Sequence, residues 1–194
     1  MLAHLHILHL YRRVDRLPNL LTQLSEQEIY FYSIHEAIDA TELKMPTKKA
    51  ITLGHKRIIQ SAKNNNMPYC IVAEDDIVFT AKSAWDYFIG SMPEIFDLYF
   101  GLIYQGTVEN NRVLNGMSGV MTLYVVHKRF YDFFLSIPDD CHIDRELGQT
   151  AFKHEYYVVP EMCVLQSGSY SDNLRKPMNY DVYVEGKKLF GRKL

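Results

Sequence analysis

Short apolar runs alternate along the chain with stretches whose apolar residues recur every three or four positions, the pattern of an α/β layer protein. Leu5 to Leu10 is short, apolar and rich in branched side chains, which predicts a buried strand. Pro18 then stands where a helix start tolerates it, and Leu17, Leu20, Leu21 and Leu24 define one helix face. Ile29 to Ile34 reads as an aromatic-rich second strand. A long helix capped by Thr47 is expected to run to about Asn66, with Ile51, Ile58, Ile59 and Ala62 on its inner face and Asn64-Asn65-Asn66-Met67-Pro68 ending it. Tyr69 to Ala73 reads as a third strand and runs straight into Glu74-Asp75-Asp76.

The second half continues the alternation. A short helix carries Trp85, Phe88 and Ile89. Asp97 to Tyr104 and Gly119 to Val126 read as strands, and Phe130, Phe133, Phe134 and Ile137 form a helical stripe. Residues 142–153 look helical, and Tyr156 to Val159 and Cys163 to Leu165 look like late strands. From Ser167 onward the pattern is that of a loop, with residues 173–194 a peripheral tail on a single 194-residue domain.

Composition narrows the function classes. Apolar residues make up 47% and charged residues 23%, ordinary for a soluble globular chain, and the formal net charge of −2 argues against a nucleic-acid binder. Cys70, Cys141 and Cys163 are too few and too scattered for a disulfide framework, which favours a reducing, cytoplasmic setting. No apolar run reaches the roughly 20 residues of a membrane helix, and three histidines break up the apolar start in a way a signal peptide does not. Lys187, Lys188, Arg192 and Lys193 read as a solvated end, with attraction to an anionic membrane surface as the sharper alternative.

The strongest chemical signal is Glu74-Asp75-Asp76. A strand that runs into three carboxylates sets them at its C-terminal end, where open α/β sheets bind ligands. Strand alternation would put Glu74 and Asp76 on one side and Asp75 on the other. Such hard oxygen ligands suit Mg²⁺ or Mn²⁺ bridging to a diphosphate; a solvated acidic turn is the plain alternative. After the first strand, Arg12, Arg13 and Arg16 offer guanidinium forks that match phosphate oxygens, or are simply surface arginines. Asp144 and Glu146 open a helix, where an acid could act as a general base or merely cap it. Gln166-Ser-Gly-Ser169-Tyr-Ser-Asp172 is a polar loop that could close over a diphosphate or lie idle. His4 and His6 share a strand face without a visible third ligand, and His55 reads as an interior histidine.

Taken together, Arg12-Arg13-x-Asp15-Arg16, a helix bearing His55, Cys70-Ile-Val-Ala-Glu-Asp-Asp-Ile-Val-Phe79, a later strand ending in Leu-Tyr-Val-Val and a closing Gln166-Ser-Gly-Ser-Tyr-Ser-Asp resemble glycosyltransferase family 25, the lipooligosaccharide galactosyltransferase-like group. The likeness spans roughly residues 5–175. It implies a GT-A fold, a mixed central sheet flanked by helices. It also implies metal-dependent, inverting transfer of a sugar from a UDP-sugar such as UDP-galactose to a glycan or lipid-linked glycan acceptor. On this likeness Asp76 and Glu74 hold the metal. Arg12, Arg13, Arg16, Glu74, Asp75, Gln166 and Ser169 bind the nucleotide-sugar. Asp144, with Glu146 second, activates the acceptor. Family members carry Gly-Cys-x-x-Ser-His before the acidic motif, where this chain reads Ala50-Ile-Thr-Leu-Gly-His55. A non-catalytic sugar-nucleotide-binding relative is the alternative the departure suggests, and a two-metal phosphoesterase is a more distant one.

Overall fold

The computed structural model describes residues 3–168, 170–174 and 176–192. Its centre is an eight-stranded mixed sheet. The first strand, β1 (Leu5–His9), is followed by α1 (Leu17–Glu26), β2 (Tyr32–Glu36), α2 (Thr47–Asn64) and β3 (Tyr69–Glu74). After β4 (Ile77–Phe79) and α3 (Ala84–Gly90) come β5 (Leu98–Phe100), β6 (Gln105–Glu109), β7 (Arg112–Ser118) and β8 (Leu123–His127). Helices α4 (Tyr131–Ser136) and α5 (Ile143–Thr150), then β9 (Tyr156–Val158) and β10 (Val164–Gln166), complete the main body. The sheet order is β2-β1-β3-β8-β5-β9-β7-β6, and β4 pairs with β10 in a separate ribbon.

This ordering decides where the chemistry lies. β1 and β3 are parallel neighbours, with Leu5 opposite Ile71 and Leu8 opposite Glu74. Their C-terminal ends therefore share one sheet edge, and Leu10 to Arg16 meets Glu74-Asp75-Asp76 there. β8 runs antiparallel to β3 with Leu123 opposite Ala73, so the turn before β8 reaches the same edge. β10 is antiparallel to β4 with Gln166 opposite Ile77, which brings Gln166 to the acidic turn. Leu5, Ile7, Ile71, Val72, Val125 and Val126 are fully or almost fully buried, as expected of strands covered on both faces.

Several boundaries differ from the sequence expectation. β2 begins at Tyr32 rather than Ile29, and Tyr30 and Phe31 stay exposed. Pro46, not Thr47, occupies the N-cap of α2, and Thr47 is its first helical residue. Only Leu98–Phe100 of the expected strand 97–104 pairs in the sheet, and the stretch expected to be a strand from Gly119 forms one only from Leu123. The β6–β7 hairpin is an addition to the elements expected from the apolar pattern. The tail packs on the body: Phe190 stacks on Tyr87 with ring centroids 4.1 Å apart. Lys187 is not a solvated end either: its ammonium donates to the carbonyls of Ile103 and Tyr104, and burial lowers its pKa. Among the described residues no helix is long and apolar enough to cross a membrane.

Candidate functional site

A cleft of about 1160 Å³ opens at this sheet edge. Its walls come from the segments that the topology gathers there: Arg12 and Arg16 after β1, Glu74, Asp75 and Asp76 after β3, Gly119 before β8, Asp144 and Arg145 on α5, and Gln166 at the end of β10. The N-terminal residues Thr47 and Lys48 of α2 also face it. That 18-residue helix has no acid in its first turn and no side-chain cap, so its free N–H groups keep their positive character toward the cleft.

The three carboxylates have different fates. β3 ends at Glu74 and a turn follows, so alternation does not continue and all three acids line the same cleft, contrary to the expectation that Asp75 would point away. Asp75 is buried and fully engaged. Its Oδ2 accepts from the His9 ring at 2.7 Å and from the Leu10 N–H at 3.3 Å, and its Oδ1 accepts from Arg16 Nη1 at 2.6 Å. Those bonds tie β1 to β3, which makes Asp75 a keystone of the site's frame. Glu74 accepts from the Gln166 amide at 3.3 Å, and the buried His55 Nε2 stands 3.4 Å from its other oxygen without hydrogen-bond geometry. His55 Nδ1 bonds the buried Tyr124 hydroxyl at 2.9 Å, which fixes the ring beside Glu74.

Asp76 is the outlier. It is buried, yet its Oδ1 has no hydrogen-bond partner and its Oδ2 lies 3.5 Å from Arg16 Nη1. Burial first, and the neighbouring charge of Glu74 second, raise its pKa to about 7 against the pull of Arg16. A buried carboxylate oxygen without a donor is costly unless a cation or a proton meets it. The pair Asp76 and Glu74 thus fits a hard divalent cation that takes one or two carboxylates and completes its shell with water and substrate phosphate. Among the described residues no group of three or more His, Cys, Asp or Glu is arranged to hold a metal from protein atoms alone.

The arginines are not idle surface charges. Arg12 pairs with Asp39 and Asp172, and Arg16 also donates to the Tyr170 carbonyl at 3.1 Å. Arg13 is buried and does not line the cleft; it holds Asp15 at 2.7 Å and Asp172 at 2.7 Å, strapping the segment after β10 onto the segment after β1. Burial alone would raise the Asp172 carboxyl, but hydrogen bonds from Arg13 and Arg12 hold it below its ordinary value. Ser169 lies outside the described residues.

Asp144 is the second residue of α5, not its cap, and its Oδ2 accepts the Gly119 N–H at 2.9 Å. Gly119 has a φ of +63°, and a Cβ there would stand 2.6 Å from the Tyr104 ring, so only glycine fits this turn. Glu146 lines no part of the cleft. Two residues on a helix are about 200° apart, which turns Glu146 away from Asp144; it lies near Cys141, whose thiol is raised by burial and then by that carboxylate. Residues of the site that escape sequence reasoning include His9 and Asp39, which hold Asp75 and Arg12, and Thr47, Lys48, Gly119 and Arg145 in the cleft walls. His9 leaves a hint, as the last strand residue before the arginine segment.

No family model and no curated protein sequence matches the chain. Among solved structures, A197 from STIV superposes with a TM-score of 0.52 at 13% identity, covering 99% of this chain and 98% of that one. HddC from Yersinia pseudotuberculosis, complexed with GMP-PN, gives 0.49 at 13% identity over 80% of this chain and 89% of that one. A glycosyltransferase involved in the glycosylation of the major capsid of PBCV-1 gives 0.46 at 13% identity over 80% and 81%. The A197 likeness shows a shared fold, and the mixed α/β class expected from the sequence is the one observed.

Proposed function

We propose that this protein is a glycosyltransferase that takes its sugar from a nucleotide diphosphate sugar, UDP-galactose being the donor that the family 25 likeness suggests. One observation carries the reading: the unpartnered, buried Asp76 oxygen beside Glu74, in a cleft that also presents Arg12, Arg16 and the N-terminus of α2. Cation-binding carboxylates and anion-binding groups in one cleft match a diphosphate held with a divalent metal. Mg²⁺ or Mn²⁺ on Asp76 and Glu74 would neutralise charge on the departing diphosphate.

The chain's own residues do the rest. Arg16 orients the diphosphate from the β1 side, and Arg12 exchanges Asp172 for a phosphate oxygen. Asp75, held by His9 and Arg16, keeps the acidic turn in place. Asp144 accepts the proton of an acceptor hydroxyl. The acceptor oxygen then bonds to the anomeric carbon, and the bond from that carbon to the diphosphate oxygen breaks with its electron pair leaving on the nucleotide. Inversion follows from attack on the face opposite the leaving group. The acceptor is a glycan, free or lipid-linked, and the setting is the cytoplasmic side of a membrane.

The test is a thermal-shift series with UDP, GDP and CMP, each with and without Mn²⁺. A ligand at one hundred times its dissociation constant adds about 2.7 kcal/mol. UDP stabilisation that needs Mn²⁺ supports the reading, and no response to any nucleotide refutes it. Asp144→Asn is expected to keep that shift and lose sugar transfer; UDP binding without turnover in the unaltered chain would instead mark a non-catalytic relative.

A further inference from the structure

A second cleft of about 580 Å³ runs on from the first. The two share Gln105, Ser118 and Arg145, so the new cleft begins at the junction where Asp144 bonds Gly119. Its floor exists because α5 lies directly on β7. A Cβ on Gly148 would come within 2.4 Å of the Met117 carbonyl oxygen, so a larger residue could not pack there. Gly116 adds an open stretch, with no atom within 4 Å of where a Cβ would stand.

The walls of this groove share one chemistry. Ser118 donates to the side-chain amide oxygen of Gln105 at 2.9 Å, which orients the Gln105 amide, and the amide NH₂ has no side-chain partner among the described residues. The amides of Asn115 and Gln149 and the guanidinium of Arg145 have no side-chain partner among the described residues. Phe152 stands at the rim with 63% of its surface exposed, and Lys153 Nζ lies 5.2 Å from the ring centroid. Planar amides offer a donor and an acceptor side by side, which suits vicinal hydroxyls. An exposed aromatic ring offers a flat apolar face for the C–H side of a sugar ring. Among the described residues no carboxylate lines the groove, so none there selects a cation.

We propose that this groove is a saccharide subsite that holds the acceptor, with Gln149 and Phe152 as its principal contacts and the reacting hydroxyl directed along Ser118 and Arg145 toward Asp144. The assignment of the sugar as acceptor rests on the transferase reading above; the binding of a saccharide here does not. The experiment is saturation-transfer NMR on the full chain with lactose, cellobiose and N-acetyllactosamine, with and without saturating UDP and Mn²⁺. At least one disaccharide is expected to show transfer that UDP leaves intact. Phe152→Ala and Gln149→Ala are each expected to cut it several-fold while thermal unfolding stays unchanged. No transfer to any of the three sugars, transfer unaltered in both variants, or transfer displaced by UDP would overturn the groove. A UDP thermal shift that is absent, while saturation transfer to a disaccharide remains and falls in the variants, removes the donor reading and leaves the groove standing.

Discussion

The two ends of the central sheet handle charge in opposite ways. Beside β1 and β3 almost every ionic group already has a partner: Asp75 with His9 and Arg16, Arg13 with Asp15 and Asp172, Arg12 with Asp39. Across β7 and α5, Arg145, Asn115 and Gln149 face an open groove without side-chain partners among the described residues. The buried Asp75 and Arg13 of the first region, with the largely buried Arg16, are arranged before any ligand arrives, because buried charge is expensive to rearrange, whereas the more exposed Arg12 can change partner. The second leaves Arg145, Asn115 and Gln149 to solvent, which a ligand can displace at little cost. On the proposed reading, the stiff region would hold the diphosphate and the wet one the sugar hydroxyls.

The largest test of that contrast removes a cation from each end. Arg16→Gln leaves the buried Asp75 with His9 and one N–H, and leaves Asp76 with no cation partner among the described residues. Breaking a buried pair from one side costs about 3–5 kcal/mol. Arg145→Gln, at the exposed groove, is expected to change stability by less than about 0.5 kcal/mol. Urea unfolding of both variants decides the matter, and similar small effects in the two would break the comparison.

A smaller effect sharpens the difference between Asp75 and Asp76. Asp76 keeps its proton in the folded state up to about pH 7, whereas its ordinary value is 3.8. Between those limits the folded state holds more protons than the unfolded one, so this group's contribution is complete below about 3.8 and is lost as pH rises through 7. Asp76→Asn abolishes that loss. The variant is expected to melt higher than the unaltered chain at pH 8, by about 2–4 °C for each kcal/mol recovered, and to match it more closely at pH 5. It is also expected to lose the Mn²⁺-dependent UDP shift. A variant that melts lower at pH 8 would show that Asp76 is better satisfied than its surroundings indicate.

What the sequence makes legible follows the same divide. β1 and β3 are readable because strands covered on both faces appear as unbroken apolar runs. The acidic turn stands out for the same reason, since it follows such a run. What the residues do not give is that His9 reaches Asp75 across 66 positions, because that depends on β1 and β3 being parallel neighbours. The β6–β7 hairpin is hard to see because every residue of β6 is exposed and Asn115-Gly116 interrupts β7. Its signal lies in Asn110-Asn111, which take φ of +47° and +65°, the two-residue turn that asparagine favours. Asp144 can be singled out from its place at a helix start, but its bond to Gly119 requires the turn before β8 to lie against α5.

The smallest effect comes from a third place, on β1 and β2 away from both clefts. His6 Nδ1 lies 2.9 Å from His35 Nε2, and the rings of His4 and His6 are 4.8 Å apart. Burial, then the nearby His4 and His35, lowers the His6 pKa to about 4 from 6.5. Here the unfolded chain takes up a proton that the folded one refuses, so the contribution is present above pH 6.5 and lost as pH falls through 4. His6→Asn is therefore expected to flatten the fall in melting temperature between pH 6.5 and 4.5 while leaving UDP binding at neutral pH unchanged. Melting curves of both chains across that range check it. An acid limb as steep in the variant as in the unaltered chain would place the proton uptake elsewhere, at His35, His127 or His154, all also lowered by burial.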